Sequence, residues 1–236
     1  MYNYYKSGAI LSEAPYVNDA VNGTVYSYYE SGAISSKRPY VNGELNGIEY
    51  SYRENGKLSA KITFVNGELN GTAYTFLNNI RFEIPYVNGK RHGTVYRYEN
   101  GVLDSEIPYV NDKKHGVGYI YHKDGEKSEV PYINDKREGW VKEYYKSGKL
   151  KGEYLYKNDA NANEMRFYFE SGKLRQEHKQ NVVTLHSESG KLWGEIYYSN
   201  KTAISGVCVS DTGVKTPMTN AEIINWNNGH EVVCAK

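Results

Sequence analysis

Any chemistry in this chain would have to come from six histidines, two cysteines and 28 acidic side chains. The histidines are His92, His115, His122, His178, His186 and His230. His92 and His115 occupy the same point of a repeated pattern, so duplication explains their spacing better than a metal site or an acid–base pair. No phosphate loop of the form G-x-x-x-x-G-K-[ST], no G-x-S-x-G turn and no H-E-x-x-H helix is present. Asp and Glu are spread along the whole chain, and no pair stands out as a general acid with its base. These residues assign no catalytic role, no cofactor and no metal, and the chain reads as a non-enzyme.

Cys208 and Cys234 are the only cysteines. A bridge between them would close a loop worth roughly 3–4 kcal/mol in the chain-entropy model and would favour an exported protein. The alternative is a pair of reduced, partly buried thiols. Two cysteines without a neighbouring histidine pair fall short of the four ligands of structural zinc.

The elements that hold these residues come from one repeated unit. The aromatic marks Tyr16, Tyr40, Phe64, Tyr86, Tyr109, Tyr132 and Tyr156 recur every 22 to 24 residues. Two sets of glycines keep the same period, one including Gly23, Gly47, Gly71, Gly93, Gly116 and Gly139, the other Gly32, Gly56, Gly101, Gly125 and Gly148. Between turns the apolar residues alternate, as in Tyr50 and Tyr52 and then Leu58, Ala60, Ile62 and Phe64, which is the period of a strand. Asn-Gly, Ser-Gly and Asp-Gly supply the positive φ that hairpin turns need, so each repeat is predicted to be one β-hairpin. The shortened turn at Leu77-Asn78-Asn79-Ile80 lacks glycine and is expected to distort the sheet locally.

The pattern Y-x-N-G-x-x-x-G-x-x-x-x-Y, followed by G-K-L-x-x-E-x-x-Y, resembles the variant MORN repeat of bacterial proteins, some of which are described as antitoxin or immunity proteins. The resemblance runs over residues 1–200, with Asn163 in place of a glycine and eroded units after Gln180. It implies an all-β fold: an elongated, single-layer antiparallel array of β-hairpin repeats over residues 1–203. A small α/β cap over residues 204–236 completes the reading. In that cap Thr219-Asn220-Ala221-Glu222 has capping-box spacing, Ile223, Ile224 and Trp226 give a short apolar face, and Gly229 marks a stop. A helix of about two turns is expected there, flanked by strands around Val207-Cys208-Val209 and Val232-Val233-Cys234.

Composition bounds the partners. With 29 basic and 28 acidic side chains the net charge is +1, so no global field draws nucleic acid, which ranks last among partners. Mean hydropathy is −0.73, and 25 Tyr stand against 5 Phe and 3 Trp, which makes tyrosine the expected core residue. No apolar run has the length of a membrane span, and the N-terminal residues lack the plan of a signal peptide. Read from Met1 the chain is expected in the cytoplasm. Because the sequence opens inside a repeat, a removed leader with an oxidised cysteine pair would place it in the periplasm or outside the cell.

Two surfaces rise above this background. The first is an aromatic face on which Tyr26, Tyr28, Tyr50, Tyr52, Tyr74, Phe76, Tyr96, Tyr98, Tyr119 and Tyr121 share one strand parity and are expected to stack across neighbouring units. These rings form the core, a contact face, or both. The second is a row of basic turns, Lys90-Arg91-His92, Lys113-Lys114-His115 and Lys136-Arg137-Glu138, which is either solvated surface or a strip for an acidic protein or an anionic lipid or polymer. The function expected is a protein-binding module, in its most specific form an antitoxin that occludes a cognate toxin. The rival is an exported or envelope-associated scaffold that binds lipid, glycan or other proteins, and open sheet edges permit a dimer.

Overall fold

The computed structural model describes residues 1–228 and Cys234. Strands dominate, and all of them pair antiparallel where their registers are defined; the single helix among the described residues spans Asn220–Asn227. The chain divides into two compact units, residues 1–118 and 119–236.

The first unit is a succession of hairpins built from two kinds of turn. In the Gly47–Tyr52 and Leu58–Val65 hairpin, Gly47 faces Phe64 and Ser51 faces Ala60, then the register slips by one residue so that Tyr52 faces Leu58. The slip comes from the wide turn over residues 53–57, where Arg53 N–H donates to Lys57 O at 2.8 Å and Gly56 N–H donates to Arg53 O at 2.8 Å. The second turn is tight. Asn66 and Gly67 both take positive φ, 49° and 78°, the pair that a two-residue type I′ hairpin requires, and Val65 faces Glu68 across it.

Successive hairpins are tied through these tight turns. Gly43, Gly67 and Gly89 each donate a backbone N–H at 2.8 Å to the hairpin before, to Val21, Leu45 and Leu69 respectively. Asn amides run in parallel: Asn22 Nδ2 donates to Asn42 Oδ1 and Asn46 Nδ2 to Asn66 Oδ1, both at 3.1 Å.

The distortion expected at Leu77-Asn78-Asn79-Ile80 does not occur. Gly71–Leu77 and Ile80–Val87 pair without a slip from Gly71↔Tyr86 to Leu77↔Ile80. Asn78 supplies the positive φ, 54°, that the missing glycine would have given. This two-residue turn closes its hairpin without a slip, whereas the hairpin closed by Asn100-Gly101 slips between Arg97 and Tyr98.

The second unit continues the hairpins through Ala160–Tyr168, Leu174–Lys179, Val182–His186, Leu192–Ser199 and Thr202–Val209. Erosion of the sequence after Gln180 hides this regularity, because Gln180 and the pair Asn200-Lys201 adopt the same positive φ as the Asn-Gly pairs. The helix packs against these last strands. Val183, Leu185, Ile196, Ala203, Cys208, Met218 and Ile223 form a buried cluster beneath it, and Ile196 has no exposed surface. The core is thus aliphatic, and the tyrosines of the repeats are half-buried instead of forming it.

Local chemistry seals this end. Thr219 and Glu222 make a reciprocal capping box. Asn227 presents its side-chain amide to the backbone of Ala203 as a neighbouring strand would, accepting from Ala203 N–H at 2.9 Å and donating to Ala203 O at 3.0 Å. Cys208 and Cys234 are joined by a disulfide with 5.7 Å between their Cα atoms. Gly229, His230, Val232 and Val233 lie outside the described residues.

Candidate protein-interaction surfaces

The histidines do not converge. His92 and His115 both sit at exposed turn positions, each donating its backbone N–H at 3.0 Å to a proline carbonyl, of Pro85 and Pro108. His122 Nε2 lies 2.9 Å from Ser128 Oγ. His178 meets the Phe167 ring edge-on at 5.9 Å and bonds Gln176, and burial pushes its pKa below the ordinary imidazole value, which favours the neutral ring. Among the described residues no group of three His, Cys, Asp or Glu side chains is placed to hold a metal ion.

The tyrosine face exists, but its rings do not stack on one another. Register places Tyr26 beside Lys37, Lys37 beside Tyr50, Tyr50 beside Lys61 and Lys61 beside Tyr74. The next members alternate with acids, Tyr74 beside Glu83, Glu83 beside Tyr96 and Tyr96 beside Glu106. Each repeat contributes two strands, so equivalent rings are about 9–10 Å apart and a charged side chain fills the gap. Lys37 Nζ lies 5.9 Å from the Tyr26 ring and 5.7 Å from Tyr52, Lys61 Nζ lies 5.6 Å from Tyr74, and Arg81 lies over Tyr98 at 4.1 Å. In the second unit Lys127 lies 4.9 Å from both Tyr119 and Tyr144. This face is a lattice of cation–π and ion-pair contacts. Tyr28 donates its hydroxyl to Glu13 at 2.7 Å, and that bond, reinforced by partial desolvation, pushes its pKa up to about 12.

The basic turns divide into two populations. Lys90, His92, Lys113, His115 and Lys136 are exposed, whereas Arg91, Lys114 and Arg137 are half-buried against the sheet. Arg91 clasps the following turn: its backbone N–H and its Nε each donate to Asp112 Oδ1 at 3.0 Å, and its guanidinium lies over the Tyr109 ring at 4.4 Å. Arg137 repeats the arrangement on Asp159 and Tyr156. These hydrogen bonds hold both carboxyls, Asp112 and Asp159, below their ordinary value. Lys136 Nζ in turn donates to Asn158 Oδ1. The expected cationic strip is therefore reduced, because its arginines serve as links between repeats.

Reading only the tyrosine parity left the opposite face unread. There Ile62, Ala73, Ile84, Val95 and Ile107 are successive neighbours on adjoining strands of the first unit, as the registers Ala73↔Ile84 and Val95↔Ile107 and the pairings beside them require. The signal was present in the motif Glu-Ile-Pro-Tyr, at residues 83–86 and 106–109, whose isoleucines alternate against the flanking charges. In the second unit the sequence also did not single out Glu153, which is buried to 8% exposure and bonded by Arg166 at 3.0 Å and the Tyr168 hydroxyl at 3.0 Å. A cavity of about 440 Å³ lies beside the helix, walled by Phe169, Arg175, Gln176, His186, Trp193 and Trp226 among others.

No curated protein matches the chain. The family model described as MORN repeat variant matches residues 21–42, 45–66, 91–111, 137–158 and 163–180, together less than half of the chain. The unmatched stretches between them include the Gly71–Leu77 and Ile80–Val87 hairpin with its shortened turn. Over five of its repeats, then, this chain is similar to the MORN repeat variant.

Proposed function

We propose that the chain is a non-enzymatic repeat protein whose open sheet holds a protein partner, and that in its most specific form it is an antitoxin or immunity protein covering a cognate toxin. Repeats of the matched kind generally bind proteins or membrane lipids. The observation that carries the reading is the lack of burial in the first unit: between residues 1 and 118 only Ser36, Ala73 and Gly118 are buried. A sheet with this much half-exposed apolar and aromatic surface on both faces has contact area to offer and no pocket chemistry of its own. Occlusion is the mechanism: a broad surface covers the active site of the partner, with rigid tyrosine rings contributing area at low entropic cost.

Affinity capture of the tagged chain from lysate of its host tests the reading. One stoichiometric protein partner is expected. Capture of vesicles alone, with no protein, would replace the protein partner by lipid. Co-expression with the protein encoded beside it tests the specific form: restored growth supports the antitoxin, and a neighbour harmless on its own removes it.

The disulfide favours a second reading, an exported scaffold, because such bonds persist in oxidising compartments. Alkylation of the chain in intact cells separates the two. Protection of both cysteines supports export, and labelling of both supports a reducing compartment.

A further inference from the structure

The chain carries its own example of how one face of its repeat is covered. Ile196 stands in Glu195-Ile196-Tyr197-Tyr198, the same repeat position as Ile84 in Glu83-Ile84-Pro85-Tyr86 and Ile107 in Glu106-Ile107-Pro108-Tyr109. On either side of Ile196, register sets Val183 and Gly206 as neighbours. The helix over Asn220–Asn227 closes this row, with Ile223 and Met218 so near Gly206 that a Cβ there would lie 3.2 Å from Ile223 Cδ1 and 2.6 Å from Met218 Sδ. Covered in this way, Ile196 loses all exposure.

In the first unit the equivalent row, Ile62, Ala73, Ile84, Val95 and Ile107, has no such cover among the described residues, and its four larger members are half-buried, each keeping part of its surface exposed. Ala73, at 4% exposure, forms a low floor between them. The row beside it starts low, where Ser51, Ala60 and Thr75 are neighbours, and rises at Phe82 and Arg97, which wall the far end. Five strands at about 4.8 Å spacing span roughly 19 Å, and a helix rises about 1.5 Å per residue, so a helix of about thirteen residues, between three and four turns, crosses all five. The charges on this face are already matched. Arg38 Nε lies 3.1 Å from Glu49, and Arg97 is paired with Asp104 and, at 3.4 Å, with Glu99.

Resting on the protein-binding reading above, we propose that this aliphatic row of the first unit seats an amphipathic helix of the partner protein, in the manner in which the helix of this chain seats on the equivalent row of the second unit. The matched charges make the contact apolar, so affinity depends little on salt.

The test selects binders to the full chain from a phage-displayed library of helical peptides about five turns long. The expected binders carry apolar residues at i, i+3 or i+4, and i+7. Their affinity falls at least about tenfold with Ile84→Lys, and likewise with the milder pair Ile62→Ala and Ile107→Ala, whose circular dichroism and melting temperature confirm the fold. Lys37→Ser and Lys61→Ser, on the opposite face, leave binding unchanged, and so does raising the salt. Binders that survive the isoleucine substitutions but are lost with Lys37→Ser or with changes in the basic turns overturn the helix seat and leave the protein-binding reading intact. A selection that returns nothing also overturns the seat, and the lysate capture then decides the broader reading by itself.

Discussion

Arg91 and Asp112 show how much one residue pair decides about a turn. At Gly67 the second turn residue is glycine and the hairpin before it carries Leu45; at Asp112 and Asp159 it is aspartate and the hairpin before it carries Arg91 or Arg137, while Asp135 follows Lys114. Aspartate in the left-handed region, at φ 69° for both Asp112 and Asp159, is disfavoured against glycine, and the arginine clasp offsets that cost. Arg91→Leu alone and Asp112→Gly alone are expected to lower the melting temperature, and the pair together to recover most of the loss, since it recreates the Leu45 and Gly67 arrangement. Thermal denaturation of the three variants checks this, and additive losses would refute the coupling. The clasp also has a pH signature. Its carboxyls are held low in the fold, so the stability they add is full above about pH 4 and is lost as pH falls through their folded values. The double variant should therefore lose less stability in acid than the parent.

The tyrosine hydroxyls give the opposite signature. Tyr28, whose hydroxyl is bonded to Glu13, and Tyr144 and Tyr154, which are desolvated and face Glu129 and Glu143, are pushed up to about 12. Groups raised in this way add stability that is complete below the unfolded value of about 10 and is lost as pH rises from there toward 12. Ultraviolet titration of tyrosinate should show a late-ionising class that merges with the main class once the chain is unfolded in denaturant. A single transition in the native protein would contradict the burial and bonding of these rings.

Among elements, the short helix and the strands beneath it hold the buried aliphatic cluster. The helix completes the aliphatic cluster of the described residues, so Ile196→Ala should cost about 2–4 kcal/mol by emptying the most enclosed site. Reducing the Cys208–Cys234 bond, which closes a sequence separation of 26 residues, should cost about 3.5 kcal/mol in the chain-entropy model. Denaturant melts of the variant and of the reduced protein measure both. The helix was legible in the sequence because its start is written locally, in Thr219 and Glu222 three residues apart. The hairpins were legible because two turn signals recur in each repeat. The regular turn at Asn78-Asn79 was misread because asparagine can take the glycine conformation, and sequence spacing does not report φ. Stacking of the tyrosines was misread for a different reason: the neighbour of each ring lies on the intervening strand, where Lys37 and Lys61 stand. The role of Arg91 was not legible along its own turn, because its partner is the aspartate of the next repeat.

At the scale of the molecule, the first unit is a sheet that buries only Ser36, Ala73 and Gly118 within itself, while the last repeats of the second unit are sealed by a helix and a disulfide. No helix among the described residues is long and apolar enough to cross a membrane. The proposal makes the open sheet of the first unit the place where a protein partner is held. Hydrogen exchange of the chain, alone and saturated with its captured partner, tests this most directly. The account predicts added protection across Leu58–Val65, Gly71–Leu77 and Ile80–Val87, with exchange in Asn220–Asn227 unchanged. Protection confined to the exposed turns or to the cavity beside the helix, with those three strands exchanging as in the free chain, would contradict it.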